Sequence, residues 1–209
     1  MTMGKVTCDM AISVDGFVAG PNQGPDAPFG EGVGDSLHRW MFDEPEANAA
    51  ELTEMTAAGA FIMGRNMFGP SRGDWDLDWT GWWGAEPPYH GPVFVLTHHE
   101  RTPLTMEGGT TFHFVTGGIT EALERAQTAA GDWNVAIAGG AATVNQFLAA
   151  GLVDELRLHT APVLLGRGER LFEGIGRTDL RQVDVRRTGL VTHLRYAVVR
   201  DGASPTATA

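Results

Sequence analysis

At 209 residues, 43% of them hydrophobic, the chain is long enough for one domain with a sizeable core and too apolar to be disordered. Its 15 Lys and Arg against 26 Asp and Glu leave a formal charge of −11, which repels phosphate backbones and argues against a nucleic-acid partner without excluding a small anionic cofactor. No segment approaches the roughly 18 unbroken apolar residues of a membrane span. The N-terminus lacks the pattern of a secretory leader, so a cytoplasmic location with no membrane partner is expected.

The single cysteine, Cys8, excludes an intrachain disulfide framework and a Cys-rich zinc site. Its apolar surroundings suggest a buried, inert thiol.

Residues 5–12 read as a first strand, and Asp15-Gly16 between two apolar runs is a turn signal. Residues 20–36 are dense in Gly and Pro and form a long expected loop. A helix is expected over 44–58, with Asp43 as N-cap, Pro45 in the first turn and Gly59 at C′. Its buried stripe is Ala49, Leu52, Met55 and Ala58. Ala60 to Met63 is a short apolar strand. Residues 70–92 are irregular and hold four of the six Trp, as suits a lid, a rim or one side of a subunit contact.

From there strands and helices alternate. Strands are expected at 93–96, 111–115, 133–138 and 153–160, and helices at 119–130 and 141–150. Strands at 180–187 and 191–200 read as an antiparallel hairpin, and 201–209 as a loose tail. The expected fold is α/β, a mixed and mostly parallel central sheet flanked by helices, in one domain over residues 1–200.

Three expected strand exits carry groups suited to phosphate. Gly139-Gly140-Ala141-Ala142-Thr143 joins a strand to a helix, where small residues and unpaired N–H groups favour a pyrophosphate. A tight turn that needs glycine only for its shape explains the same residues. In Gly64-Arg65-Asn66-Met67, the Arg offers a planar fork that never deprotonates, though a surface Arg after a strand is common. Thr97 and His98 end a third strand; the adjacent His98 and His99 diverge, so no metal site is expected there. In open α/β sheets ligands bind outside the carboxyl ends of the strands, and three such exits begin to outline a site.

Asp15 is suited to ordering a substrate or relaying a proton, and equally to bonding its own turn. Trp40 is suited to stacking on a flat ring, and equally to capping the core. His90, His113, His159 and His193 are scattered and read as structural or solvent-facing.

Three runs together resemble a known family: Val135 to Ala141, Gly151 to Leu156, and Ala161 to Phe172. They resemble the C-terminal reductase domain of the riboflavin enzyme RibD and its stand-alone relatives in the dihydrofolate reductase-like superfamily. Ser13 to Gly16 and Met63 to Arg65 look like two further elements of that family, so the likeness spans residues 5 to about 200.

The resemblance implies NADPH as cofactor. Gly139 to Thr143 would hold the pyrophosphate, Gly64 to Met67 a phosphate, and Thr97 with His98 the adenosine end, while Trp40 would lie beside the nicotinamide and Asp15 at the cofactor–substrate junction. The implied reaction is hydride transfer to a C=N or C=O group of a small pyrimidine- or pterin-like molecule, in a homodimer and without metal. Met67 departs from the family, which often has Thr there, and the 20–36 and 70–92 segments depart around the substrate pocket. Two rivals are a nucleotide-binding protein that has lost turnover and an oxidoreductase using flavin or deazaflavin.

Overall fold

A computed structural model describes residues 4–70 and 72–200; the 201–209 tail lies outside the described residues. The first strand, β1 (Val6–Ser13), is buried on both faces, as its near-continuous apolar run requires. A turn at Asp15-Gly16, with Gly16 at φ 90°, leads into β2 (Phe17–Ala19). After the Gly/Pro-rich segment come two helices, α1 (Arg39–Asp43) and α2 (Ala49–Thr56). They are followed by β3 (Ala60–Gly64), α3 (Arg65–Phe68), β4 (Pro92–Leu96), β5 (Leu104–Thr105) and β6 (Thr111–Val115). The remainder is α4 (Gly118–Ala130), β7 (Val135–Gly139), α5 (Ala141–Ala149), β8 (Glu155–Ala161), β9 (Glu169–Arg170), β10 (Asp179–Arg187) and β11 (Thr192–Val199).

Nine strands form one sheet in the order β10-β11-β8-β1-β7-β3-β4-β6-β5. The middle is parallel, while β11, β10 and β5 run antiparallel, so the mixed, mostly parallel sheet and the closing hairpin are as expected. β2 and β9 make a separate two-stranded sheet, too short for any alternation to mark it in the sequence.

One face of the sheet packs Val6, Cys8, Met10 and Ile12 of β1 against α4 and α5. On α4, Ala122, Leu123, Ala126 and Ala130 are buried at helical spacing, and Gly131 at φ 60° ends the helix. The other face has two covers. The 75–83 segment packs Trp75, Trp79 and Trp83 over Phe61, Met63, Val95 and Phe112. The Trp-rich stretch is therefore a wall of the core. Val33 and Leu37 cover Ala11 and Ala161 beside it.

The expected 44–58 helix needs correction. Asp43 ends α1, where Arg39 takes its carboxylate at 2.9 Å, so it caps nothing. Asn48 stands at the N-cap of α2, and its side-chain amide donates backward to the carbonyls of Trp40 and Glu44. Leu52 and Met55 are half-buried and Ala49 exposed, so the expected stripe is only partly covered.

Candidate functional site

Strands β7, β3 and β4 are consecutive and parallel, so their carboxyl ends lie along one edge. Gly64 is level with Leu96, and Met63 with Gly139. The three glycine- or threonine-bearing exits read from the sequence therefore meet. A Cβ on Gly64 would collide with the Thr143 hydroxyl. Gly139 takes φ 119°, a region open to glycine, and a Cβ there would lie 3.4 Å from the Met67 sulfur and 3.5 Å from that of Met10. The Gly139–Gly140 peptide is cis.

Helix α5 starts at this edge. The N–H groups of Thr143 and Val144 both donate to the Gly140 carbonyl at 3.1 Å. Those of Ala141 and Ala142 precede them, in the turn that has no intrahelical acceptor. The Ala141 methyl is buried and Ala142 is exposed. An open cleft of about 700 Å³ begins at these two residues and runs past Asn145 to Arg170.

Arg65 lies flat on Trp75, its guanidinium carbon 3.9 Å from the ring centroid. One Nη donates to the Asp74 carbonyl at 3.2 Å, but the buried Nε has no partner. Burial, followed by the Arg72 charge, lowers its pKa. An unpaired N–H on a cation, two glycines whose Cβ positions are already occupied or strained, and a helix N-terminus all fit a phosphate-bearing dinucleotide. Asn66 and His98 are exposed at the same edge. Thr97 is buried, its hydroxyl accepting from the His99 N–H at 3.1 Å, so it shapes the turn and does not reach outward.

Two further expected site residues have their polar groups engaged within the protein. Trp40 is 0% exposed; its indole N–H donates to the Leu37 carbonyl, and the ring packs 4.9 Å from His159 and 5.1 Å from His193. Of its two roles it takes the core one, which withdraws it from contact with a nicotinamide. The Asp15 carboxylate accepts from Ser13 Oγ at 2.6 Å, the Leu165 N–H at 3.1 Å and the Gly166 N–H at 2.7 Å. Those bonds, the Ser13 hydroxyl foremost, pull its pKa down to about 2. Through the two backbone bonds Asp15 fastens the 165–166 segment to the first turn.

Two features escaped the sequence reading. Arg101 donates to the carbonyls of Leu77 and Trp79 and lies over the Phe68, Trp75 and Phe114 rings, tying down the Trp-rich segment. His159 and His193 are buried cross-strand neighbours, their Nδ1 atoms 2.8 Å apart. The second pair is made by the β8–β11 pairing, a register the sequence does not state.

The family described as RibD C-terminal domain matches residues 4–194. The chain is 25% identical over 193 residues to the Bacillus subtilis protein YyaP, across 87% of this chain and 88% of that one. A putative riboflavin biosynthesis protein from Shewanella sp. PV-4 shares its fold, with TM-score 0.64, 22% identity, and 94% and 99% of the two chains covered. So does the Saccharomyces cerevisiae riboflavin biosynthesis reductase Rib7, with TM-score 0.57, 14% identity, and 94% and 90% covered.

Proposed function

The chain belongs to the RibD C-terminal domain family, and from that premise we propose that it is an NADPH-dependent reductase. The substrate class is a small heterocycle, pyrimidine- or pterin-like, with a C=N or C=O group to be reduced. The meeting of Gly64, Arg65, Gly139 and Thr143 at one sheet edge carries the reading. The name of the Saccharomyces cerevisiae protein, a reductase of riboflavin biosynthesis, supports the reaction class.

NADPH, when bound, supplies the hydride. The chain supplies binding and orientation. The Arg65 guanidinium, with the N–H groups of Ala141 and Ala142, would hold phosphate, and Asn66 and His98 would flank the adenosine end. Asp15 keeps the 165–166 segment in place. A cytoplasmic location follows from the cofactor's reduced pool and is part of the same proposal.

A homodimer is also proposed. Leu180 and Val185 of β10 share a sheet face with Leu194 and Val198 of β11, beyond the reach of α5. Leu180 and Val185 are 41% and 47% exposed, an uncovered apolar extension suited to a second copy.

One observation favours a binding protein without turnover: the Asp15 carboxylate is already engaged by Ser13, Leu165 and Gly166. Mixing the protein with NADPH and a panel of pyrimidines and pterins separates the two. Loss of dihydronicotinamide absorbance with any member supports the reductase; binding with no oxidation throughout the panel supports the rival. A yellow colour on purification would point instead to a bound flavin or deazaflavin.

A further inference from the structure

Helix α3 brings Arg65 to the candidate site, yet it is a single turn of four residues, closed by the Gly69 N–H donating to the Arg65 carbonyl at 2.9 Å. One turn does not hold itself in water. What fixes it comes from the Trp-rich segment. The Trp79 indole N–H donates to the Phe68 carbonyl at 2.9 Å, and a Cβ on Gly69 would collide with that indole. Trp75 lies against the Arg65 guanidinium itself, with 3.9 Å between ring centroid and guanidinium carbon.

Trp75 is held in turn. Its indole N–H donates to the His99 carbonyl at 2.8 Å, and the Phe114 and Phe68 rings meet it edge-on, with centroids 4.9 Å and 5.8 Å away. His99 lies just past the end of β4, and Arg65 just past the end of β3. This one indole therefore joins two of the three strand exits that make up the cradle.

A second guanidinium, that of Arg101, approaches the same ring at 5.3 Å. The two cations differ in what they have left to donate. Both Nη atoms of Arg101 are committed to the carbonyls of Asp76, Leu77 and Trp79. Arg65 commits one Nη to the Asp74 carbonyl at 3.2 Å, and its other Nη has no partner among the described residues. Burial and next the Arg72 charge lower the Arg65 pKa, and an anion alongside offsets both. Arg101 is thus a fastening of the Trp-rich segment, while Arg65 keeps a donor for a ligand.

We propose that Trp75 is a positioning residue for cofactor binding: it holds the Arg65 guanidinium in one plane at the strand exits and so sets the affinity for the cofactor's phosphate. The inference rests on the reductase reading. A free Arg side chain samples many rotamers and loses that freedom when it grips a phosphate. A guanidinium already flat on an indole has lost it beforehand, so more of the charge-assisted bond appears as affinity. The Trp-rich segment, which covers the core through the same residue, thereby also acts on the site.

The test is a double-mutant cycle on NADPH affinity, read by isothermal titration of the wild type, Trp75→Leu, Arg65→Ala and the double variant. Trp75→Leu should weaken binding roughly 5- to 30-fold, the worth of a cation held on a desolvated indole. In the Arg65→Ala background it should add nothing, because it acts through that side chain. Trp75→Phe keeps an aromatic face and should lose less, roughly 2- to 5-fold; it replaces the leucine variant in the cycle if that one does not fold. In the apoprotein, the Arg65 Nε–H resonance, identified by its loss in Arg65→Ala, should be shifted upfield by the indole ring current and return to the ordinary arginine position in Trp75→Leu. Equal losses in both backgrounds, no loss in Trp75→Leu, or an Arg65 resonance at the ordinary position in the wild type overturns the role of Trp75 and leaves the reductase reading standing. A wild type that binds no dinucleotide takes down that reading and this inference with it.

Discussion

Gly64 and Thr143 are so closely apposed that one methyl group on the glycine would collide with the threonine hydroxyl. The contact joins the exit of β3 to the first turn of α5, so the guanidinium that follows Gly64 and the amide groups near Thr143 are held at a fixed spacing. Gly64→Ala should therefore cost about 1–3 kcal/mol of stability and weaken dinucleotide binding as the two turns separate. Chemical denaturation and a binding titration on the same sample check both effects.

Arg65→Ala removes the cation whose Nε has no protein partner. NADPH affinity should fall roughly 10- to 100-fold, the worth of a charge-assisted hydrogen bond to phosphate. Arg65→Lys should recover only part of it, because an ammonium neither stacks on Trp75 in the same way nor donates as a fork. Isothermal titration of the three proteins reads the order directly.

Asp15 has a folded pKa of about 2, below the ordinary 3.8. Its contribution to stability is therefore complete above pH 3.8 and disappears as pH falls through 2. Asp15→Asn should melt at a lower temperature than the wild type at neutral pH, with the gap closing over that acid window. Melting curves taken across it test the anchor role, and a constant gap would speak against it.

His38 adds a loss of the same sign at higher pH. Its folded value of about 4 lies below the ordinary 6.5, so the unfolded chain takes up the proton first as pH drops between those limits. The wild type should lose stability over that window and His38→Gln should lose less, with the remainder coming from His193, which is also held near 4.

The proposed homodimer predicts that Leu180→Asp with Val185→Asp produces a monomer, read by light scattering after size exclusion, without loss of secondary structure. These side chains project from the edge hairpin, so a change in mass is expected without a change in fold.

How much was legible in the sequence varied with the kind of contact. Strands such as Ala60–Gly64 and Val135–Gly139 were readable because burial on both faces demands an unbroken apolar run. The order of those strands is a tertiary fact, yet the glycines at their ends still marked which exits approach a ligand. Trp40 is ambiguous in the sequence because an indole suits a core and a binding site equally, and only its 0% exposure decides between them. The anchoring role of Asp15 is not legible in the sequence because two of its partners, the N–H groups of Leu165 and Gly166, lie some 150 residues further along the chain. The His159–His193 pair was hidden for the same reason, since its 34-residue separation closes only through the β8–β11 register.

The central claim, that neighbouring strand exits form a dinucleotide cradle, is tested most directly by titrating the purified protein with NADPH while following quenching of tryptophan fluorescence. Saturable binding that is weakened by both Gly64→Ala and Arg65→Ala is the expected result. Binding that neither substitution alters, or no binding to the wild type, would contradict it.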